Sequence, residues 1–183
     1  MAIAEITQSE RLFPPSSSVS ELLSELTGRE RYSSRAEATR PEIVPTVVAV
    51  PSRGKTVQFR YQDHGEPEPS WFAPVLHGFA NLVTLSDNWD GEGAKRIDSA
   101  AINRALAAIE QLLPQDAPAP SVVPVPNSGL QIEWHRNGKD LEVEFNPNGN
   151  VEYYYYDEVT QEESEGPVGA GFLNVRDLLQ RMW

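Results

Sequence analysis

A pair of Asn-Gly dipeptides, at residues 137–138 and 148–149, constrains the fold more than any other feature of the chain. Asn-Gly tolerates positive φ at both central positions of a tight turn, so each dipeptide predicts a hairpin between antiparallel strands. The flanking residues alternate between apolar and polar, which indicates one face toward a core and one toward water. The pattern therefore predicts a β-meander with strands over residues 130–135, 141–145 and 151–156.

Helical spacing of apolar residues accompanies the predicted meander. Two helices are predicted over residues 74–85 and 98–113, the second with Asp98 as its N-cap. A short last helix is predicted over residues 175–182, with Asn174 as its cap. Residues 162–166 are predicted to form an acidic loop. The expected fold class is α+β, an antiparallel β-meander of three to five strands packed against two or three helices.

The charge is distributed unevenly along the chain. Residues 1–69 carry 8 basic and 10 acidic residues, whereas residues 70–183 carry 7 basic and 17 acidic residues. This contrast, with a Pro- and Glu-containing linker at residues 65–69, predicts an N-terminal arm over 1–69 and an acidic α+β domain over 70–183.

The N-terminal arm, expected to be partly extended, is predicted either to add a short helix and a hairpin or to remain partly disordered until a partner binds it. Its predicted elements are a short helix, with Leu22, Leu23 and Leu26 on one stripe, and a hairpin of β-branched residues. Pro45 and Pro51 indicate that the first strand of this hairpin lies at a sheet edge.

The composition excludes several classes of function. The chain has 15 Lys plus Arg against 27 Asp plus Glu, a formal net charge of -12, so direct binding to a nucleic-acid backbone is not expected. It has no cysteine, and its three histidines lack the spacing of a metal site. We expect no metal, no cofactor, no membrane segment and a cytoplasmic location.

Residues 85–94 form a carboxylate-rich run with two glycines. Asp87, Asp90 and Glu92 could offer oxygen ligands to Ca²⁺, although their spacing does not match an EF-hand loop. The favoured interpretation is a structural corner in which Trp89 fills the core, Asn88 or Asp90 accepts hydrogen bonds from nearby amides, and Gly91 and Gly93 take positive φ. Ion binding by this corner is left open.

This corner, the helix after it and a strand containing Glu133-Trp134 resemble a loosely defined family of uncharacterised small bacterial proteins. The shared pattern is an Asn-Trp-Asp-Gly-x-Gly-Ala corner, here residues 88–94, followed by an amphipathic helix, a proline-containing link and an acidic meander. The resemblance covers roughly residues 80–157. It implies a bacterial or mobile-element origin and carries no activity to particular residues.

The polar face of the predicted meander carries the residues of the chain that could support catalysis. His135 and Glu133 share a strand face, and two of Glu133, Glu142, Glu144 and Glu152 could form a glycosidase-like pair. Alternating glutamates on an exposed sheet are more often a solvated surface. No catalytic residue is therefore assigned, and a hydrolase using the meander carboxylates is kept as an alternative.

The run Tyr153-Tyr154-Tyr155-Tyr156 places two aromatic rings on each side of the last predicted strand. Exposed tyrosines suit a partner surface, and buried ones suit internal packing. Both interpretations remain open from the sequence.

These features favour a non-catalytic protein that binds a basic protein partner, in an inhibitor, antitoxin, immunity or anti-defence role. The predicted contact residues are Tyr153 to Tyr156, Glu133, Glu142 and Glu144 on the meander, and Leu22, Leu23 and Leu26 on the arm. The main alternative is a structural or assembly component that docks through the arm. Self-association is left open.

Overall fold

The structure is a computed structural model, and it describes residues 7–9, 45–62 and 67–183. The predicted arm helix with Leu22, Leu23 and Leu26, and part of the predicted linker, lie outside these ranges.

The described chain forms eight strands and three α-helices. The strands are β1 (Thr7–Ser9), β2 (Pro45–Ser52), β3 (Lys55–Gln62), β4 (Ser121–Pro124), β5 (Leu130–Arg136), β6 (Lys139–Phe145), β7 (Val151–Asp157) and β8 (Glu162–Pro167). The helices are α1 (Phe72–Val83), α2 (Ser99–Leu112) and α3 (Leu173–Gln180), with a short 3-10 turn, Ala170–Phe172, before the last.

Two antiparallel sheets organise the fold. Strands β4 to β8 follow one another across a five-stranded sheet, which is a meander, and β1, β3 and β2 form a three-stranded sheet in that order. The α+β prediction is confirmed, and β2 lies at an edge, as its prolines predicted. The three predicted meander strands are β5, β6 and β7, to which β4 and β8 are added.

The two Asn-Gly dipeptides make different turns. Asn137 and Gly138 both have positive φ, 55° and 71°, in a two-residue turn that closes on the pair Arg136 and Lys139. In the second turn Gly149 has a φ of 99°, whereas Asn148 is outside the left-handed region. This loop is also longer, because the strands are paired only up to Phe145 and Val151 and residues 146–150 lie between them. Both dipeptides set an antiparallel register, but only the first follows the tight hairpin form.

One hydrophobic core joins the inner face of the meander, the helices and the β2–β3 hairpin. Alternate meander residues face it, including Leu130, Ile132 and Trp134 on β5 and Leu141, Val143 and Phe145 on β6. Helix α1 packs against β2, β3 and β4, while α2 packs against β5 and β6. At Gly78 a Cβ would lie 3.0 Å from Val122 Cβ, so glycine permits the close approach of α1 to β4.

Two local predictions are wrong. The predicted acidic loop at residues 162–166 is strand β8. It pairs with β7 along its length, with Glu162 opposite Asp157 at one end and Pro167 opposite Glu152 at the other. Asn174 does not precede the last helix but lies within α3, which starts after Phe172 in a left-handed conformation, with φ of 58°. Asn174 Oδ1 instead accepts a hydrogen bond from the amide of Gly169, at 3.2 Å, and so fixes the turn into the helix. By contrast, Asp98 caps α2 as predicted, accepting from the amides of Ala100 and Ala101.

Candidate functional site

The outward side of the meander is the strongest candidate for a binding site, and we call it the acidic face. The strand register puts side chains from β5 to β8 together on this side. Its charged and aromatic members are Glu133, His135, Asp140, Glu142, Glu144, Glu152, Tyr154, Tyr156, Glu163 and Glu165. No lysine or arginine occurs on the same side of these four strands, so the face has a strongly negative potential.

Like charges oppose one another directly on this face. Glu133 pairs with Glu142, and Glu144 pairs with Glu152, across neighbouring strands. Partial burial, followed by the charge of Glu133, raises the pKa of the Glu142 carboxyl above its usual range. Directly opposed like charges destabilise a sheet, so this arrangement opposes folding rather than assisting it.

His135 is the one cationic group that the four strands can place on the acidic face. Its Nδ1 lies 2.8 Å from Asp140 Oδ1, and its Nε2 lies 3.4 Å from Glu133 Oε2. The hydrogen bond with Asp140 raises the pKa of the imidazole, and Glu133 adds to the effect. The His135 side chain is 53% exposed, so its proton exchanges readily with solvent.

The four consecutive tyrosines divide between the two sides of β7. Tyr155 is fully buried and Tyr153 packs against the core, whereas Tyr154 and Tyr156 lie half-buried on the acidic face. Burial, reinforced by Glu163, raises the pKa of the Tyr154 hydroxyl. Tyr156 donates a hydrogen bond to Gln161 at 3.3 Å. The predicted division of two rings to each side is confirmed, and Tyr154 and Tyr156 are the two rings that lie on the acidic face.

The corner at residues 87–96 is held by its own side chains. Asp90 Oδ1 accepts from the amides of Glu92 and Ala94, at 2.8 and 3.0 Å, and these bonds lower the pKa of its carboxyl. Asn88 Oδ1 accepts from the amide of Gly93, and Asp87 Oδ1 accepts from that of Arg96. These carboxylate and amide oxygens therefore accept hydrogen bonds from backbone amides of the loop itself.

The glycines of the corner agree with the prediction, whereas its tryptophan does not. Gly91 and Gly93 have positive φ, 82° and 97°, as predicted. Trp89 does not fill the core: it is half-buried, and its indole N–H donates to the carbonyl of Lys95 at 3.0 Å, closing the loop from outside. The described part of the chain holds no group of three or more His, Asp or Glu side chains arranged to hold a metal ion.

Sequence reasoning missed several members of the acidic face. Asp140, Glu163 and Glu165 were not selected, although Glu163 and Glu165 alternate with Ser164 and Gly166 in the pattern of a strand. The alternation of a strand is hard to recognise there, because three of the four residues 162–165 are acidic. Asp140 was missed because it follows the tight turn directly.

None of the helices in the described ranges has the length and apolar character needed to cross a lipid bilayer. Comparison of the chain with protein-family models, with curated proteins and with solved structures found no match.

Proposed function

We propose that this chain is a non-catalytic binding protein whose acidic face engages a basic surface of a partner protein. The observation that carries the proposal is the set of seven carboxylates on one side of β5 to β8, with His135 as the only cationic group among them. Such a surface attracts a basic partner over a distance and gives rapid, salt-sensitive association.

The electrostatics of the acidic face support a role in binding another molecule rather than in stabilising the fold. Opposed glutamates and the raised pKa of Glu142 lower the stability of the sheet. The same strands could carry opposite charges in these pairs without losing their inner, apolar face. A surface that opposes folding is consistent with selection for contact with another molecule.

The spacing of the carboxylates favours a partner that ordinarily binds nucleic acid. Opposed residues lie about 5 Å apart and alternate residues of one strand about 6.7 Å apart, a dense array of negative charge that imitates closely spaced phosphates. Tyr154 and Tyr156 add aromatic contact area within this array. An inhibitor, antitoxin, immunity or anti-defence role follows, in keeping with the bacterial or mobile-element origin that the sequence resemblance implies.

The test is affinity capture from bacterial lysate with matched variants. The face variant carries Glu142→Gln, Glu144→Gln and Glu152→Gln. The control variant carries Glu92→Gln, Asp116→Asn and Glu158→Gln, which remove the same charge from exposed positions off the acidic face. A purified partner should bind the wild type and the control alike, lose the face variant, and weaken at high salt.

A second measurement defines the kind of partner. Duplex DNA or RNA should compete with the protein for the captured partner, because both would occupy one basic surface. Equal capture by the face variant and the control would contradict the proposal. Binding without competition by nucleic acid would keep the acidic face as the interface and exclude a nucleic-acid-binding surface as its target.

A further inference from the structure

Among the described strands, the β4 side of the meander leaves part of β5 without a neighbour. Ser121, the first residue of β4, lies opposite Glu133. Strand β5 continues for three more residues, through Arg136, and over these residues β6 is its only partner in the ranges that the structure describes. Continuing the β4–β5 register would place Ala119 opposite His135, but no backbone hydrogen bond joins these two residues.

The register determines which backbone groups face this open edge. The two-residue turn closes on the pair Arg136 and Lys139, which exchanges its amide and carbonyl with β6. Alternate residues of an antiparallel strand direct these groups to opposite sides. The amide and carbonyl of His135 therefore point away from β6, toward the edge that β4 does not reach.

A groove of about 360 Å³ lies along this edge, and we call it the edge groove. Pro118, Trp134, Arg136 and Trp183 contribute to its walls, together with Glu133 and His135 from the acidic face. Trp183 is 44% exposed, whereas Trp134 is 4% exposed and its indole N–H has no acceptor within the described part of the chain. The Trp134 side chain is part of the groove wall, so its indole N–H signal reports on changes in the groove.

We infer that the edge groove binds an extended segment of the basic partner as an added strand on β5, with a lysine or arginine side chain of that segment at Glu133. Strand addition supplies main-chain hydrogen bonds to His135, and pockets beside the edge select side chains. The indole of Trp183 offers a face to the same basic side chain. A carbonyl of the segment accepts from Arg136 at the groove wall.

This inference rests on the proposed function, since it places the docking point of the partner at one end of the acidic face. The probe is a short, end-blocked peptide of alternating valine and lysine, titrated into the full chain. In NMR spectra the backbone amide of His135 should shift and exchange more slowly with solvent, and the indole N–H of Trp134 should shift. Both signals report the groove directly and do not depend on the identity of the natural partner.

Variants distinguish peptide binding in the edge groove from binding elsewhere on the acidic face. Trp183→Ala and Glu133→Gln should each weaken peptide binding about tenfold, as truncation at a docking centre does. Glu165→Gln removes one charge from the acidic face on β8, outside the groove walls, and should change binding less than about twofold. A peptide of the same sequence with methylated backbone amides keeps its charge but cannot donate to a strand edge, and it should bind at least tenfold more weakly.

Two results would overturn the inference. One is equal binding of the methylated and unmethylated peptides, and the other is an unchanged Trp134 indole signal at saturation. If either occurred while the partner still distinguished the face variant from its control, the acidic face would remain the interface and only the edge groove would be excluded. Loss of both effects would remove the proposed function as well.

Discussion

The two carboxylate-rich regions of the molecule use their acidic side chains in opposite ways. At the corner, Asp90 accepts hydrogen bonds from two backbone amides, which lower the pKa of its carboxyl. On the acidic face, Glu142 lies partly buried and opposite Glu133, and its pKa is raised. A carboxylate bonded to its own backbone stabilises the fold, whereas one placed among other carboxylates opposes folding. Acidic clusters that look alike in sequence thus have different structural consequences.

The largest change in melting temperature is expected from removing the hydrogen bonds that hold the corner. Asp90→Ala removes the side-chain oxygen that accepts from the amides of both Glu92 and Ala94. Unsatisfied amides and a loosened loop should lower the melting temperature by roughly 5 °C or more, measured by circular dichroism at neutral pH.

Asp90→Asn is the matched control for this loss. The side-chain amide keeps one oxygen that can accept from the same two amides, so most of the stability should remain. Equal destabilisation by alanine and asparagine would show that the negative charge, and not the acceptor, holds the corner. An unchanged melting temperature in Asp90→Ala would remove the structural role altogether.

A smaller and opposite effect is expected on the acidic face. Glu142→Gln removes a charge that opposes Glu133 and should raise the melting temperature by roughly 1–2 °C at neutral pH. Because the pKa of Glu142 is raised on folding, its penalty is present above the folded-state pKa and disappears below the ordinary glutamate value. The gain should therefore vanish in acid.

The pH series gives the opposite sign for Asp90. Its pKa is lowered on folding, so its stabilisation is present above the ordinary aspartate value and is lost as the pH falls through the folded-state pKa. Melting temperatures of the Asp90→Asn and Glu142→Gln variants should therefore differ from that of the wild type in opposite directions at neutral pH, and both differences should shrink toward zero in acid. Parallel curves would show that the two clusters do not differ.

Much of the fold followed from local patterns. Asn137-Gly138 gave the central hairpin because positive φ at two adjacent positions leaves few alternatives, and Asp98 gave the start of α2 because its side chain caps the first amides. Strand β8 was missed because its sequence is acidic and contains no large apolar residue, so its strand character comes from pairing with β7.

The acidic face could be only partly predicted for a related reason. Alternation identified Glu142 and Glu144 on one strand, but which residues of other strands stand beside them depends on register. The edge groove was beyond local reasoning, since it brings Pro118 and Trp183, which are far apart in sequence, to one end of β5. Such sites arise from topology and leave no continuous motif.

The smallest expected effect tests whether His135 belongs electrostatically to the acidic face. Its hydrogen bond with Asp140 and its contact with Glu133 raise the pKa of the imidazole, so an NMR titration should find that pKa above the ordinary value of about 6.5. Asp140→Asn should lower the pKa toward that value, whereas Glu165→Gln, on the same face but without a contact to His135, should leave it nearly unchanged. The stabilisation from protonated His135 is present below the ordinary pKa and is lost as the pH rises through the folded-state value. Equal responses to the two variants would mean that the histidine senses the whole face rather than its two neighbours, and would make the acidic face one electrostatic unit.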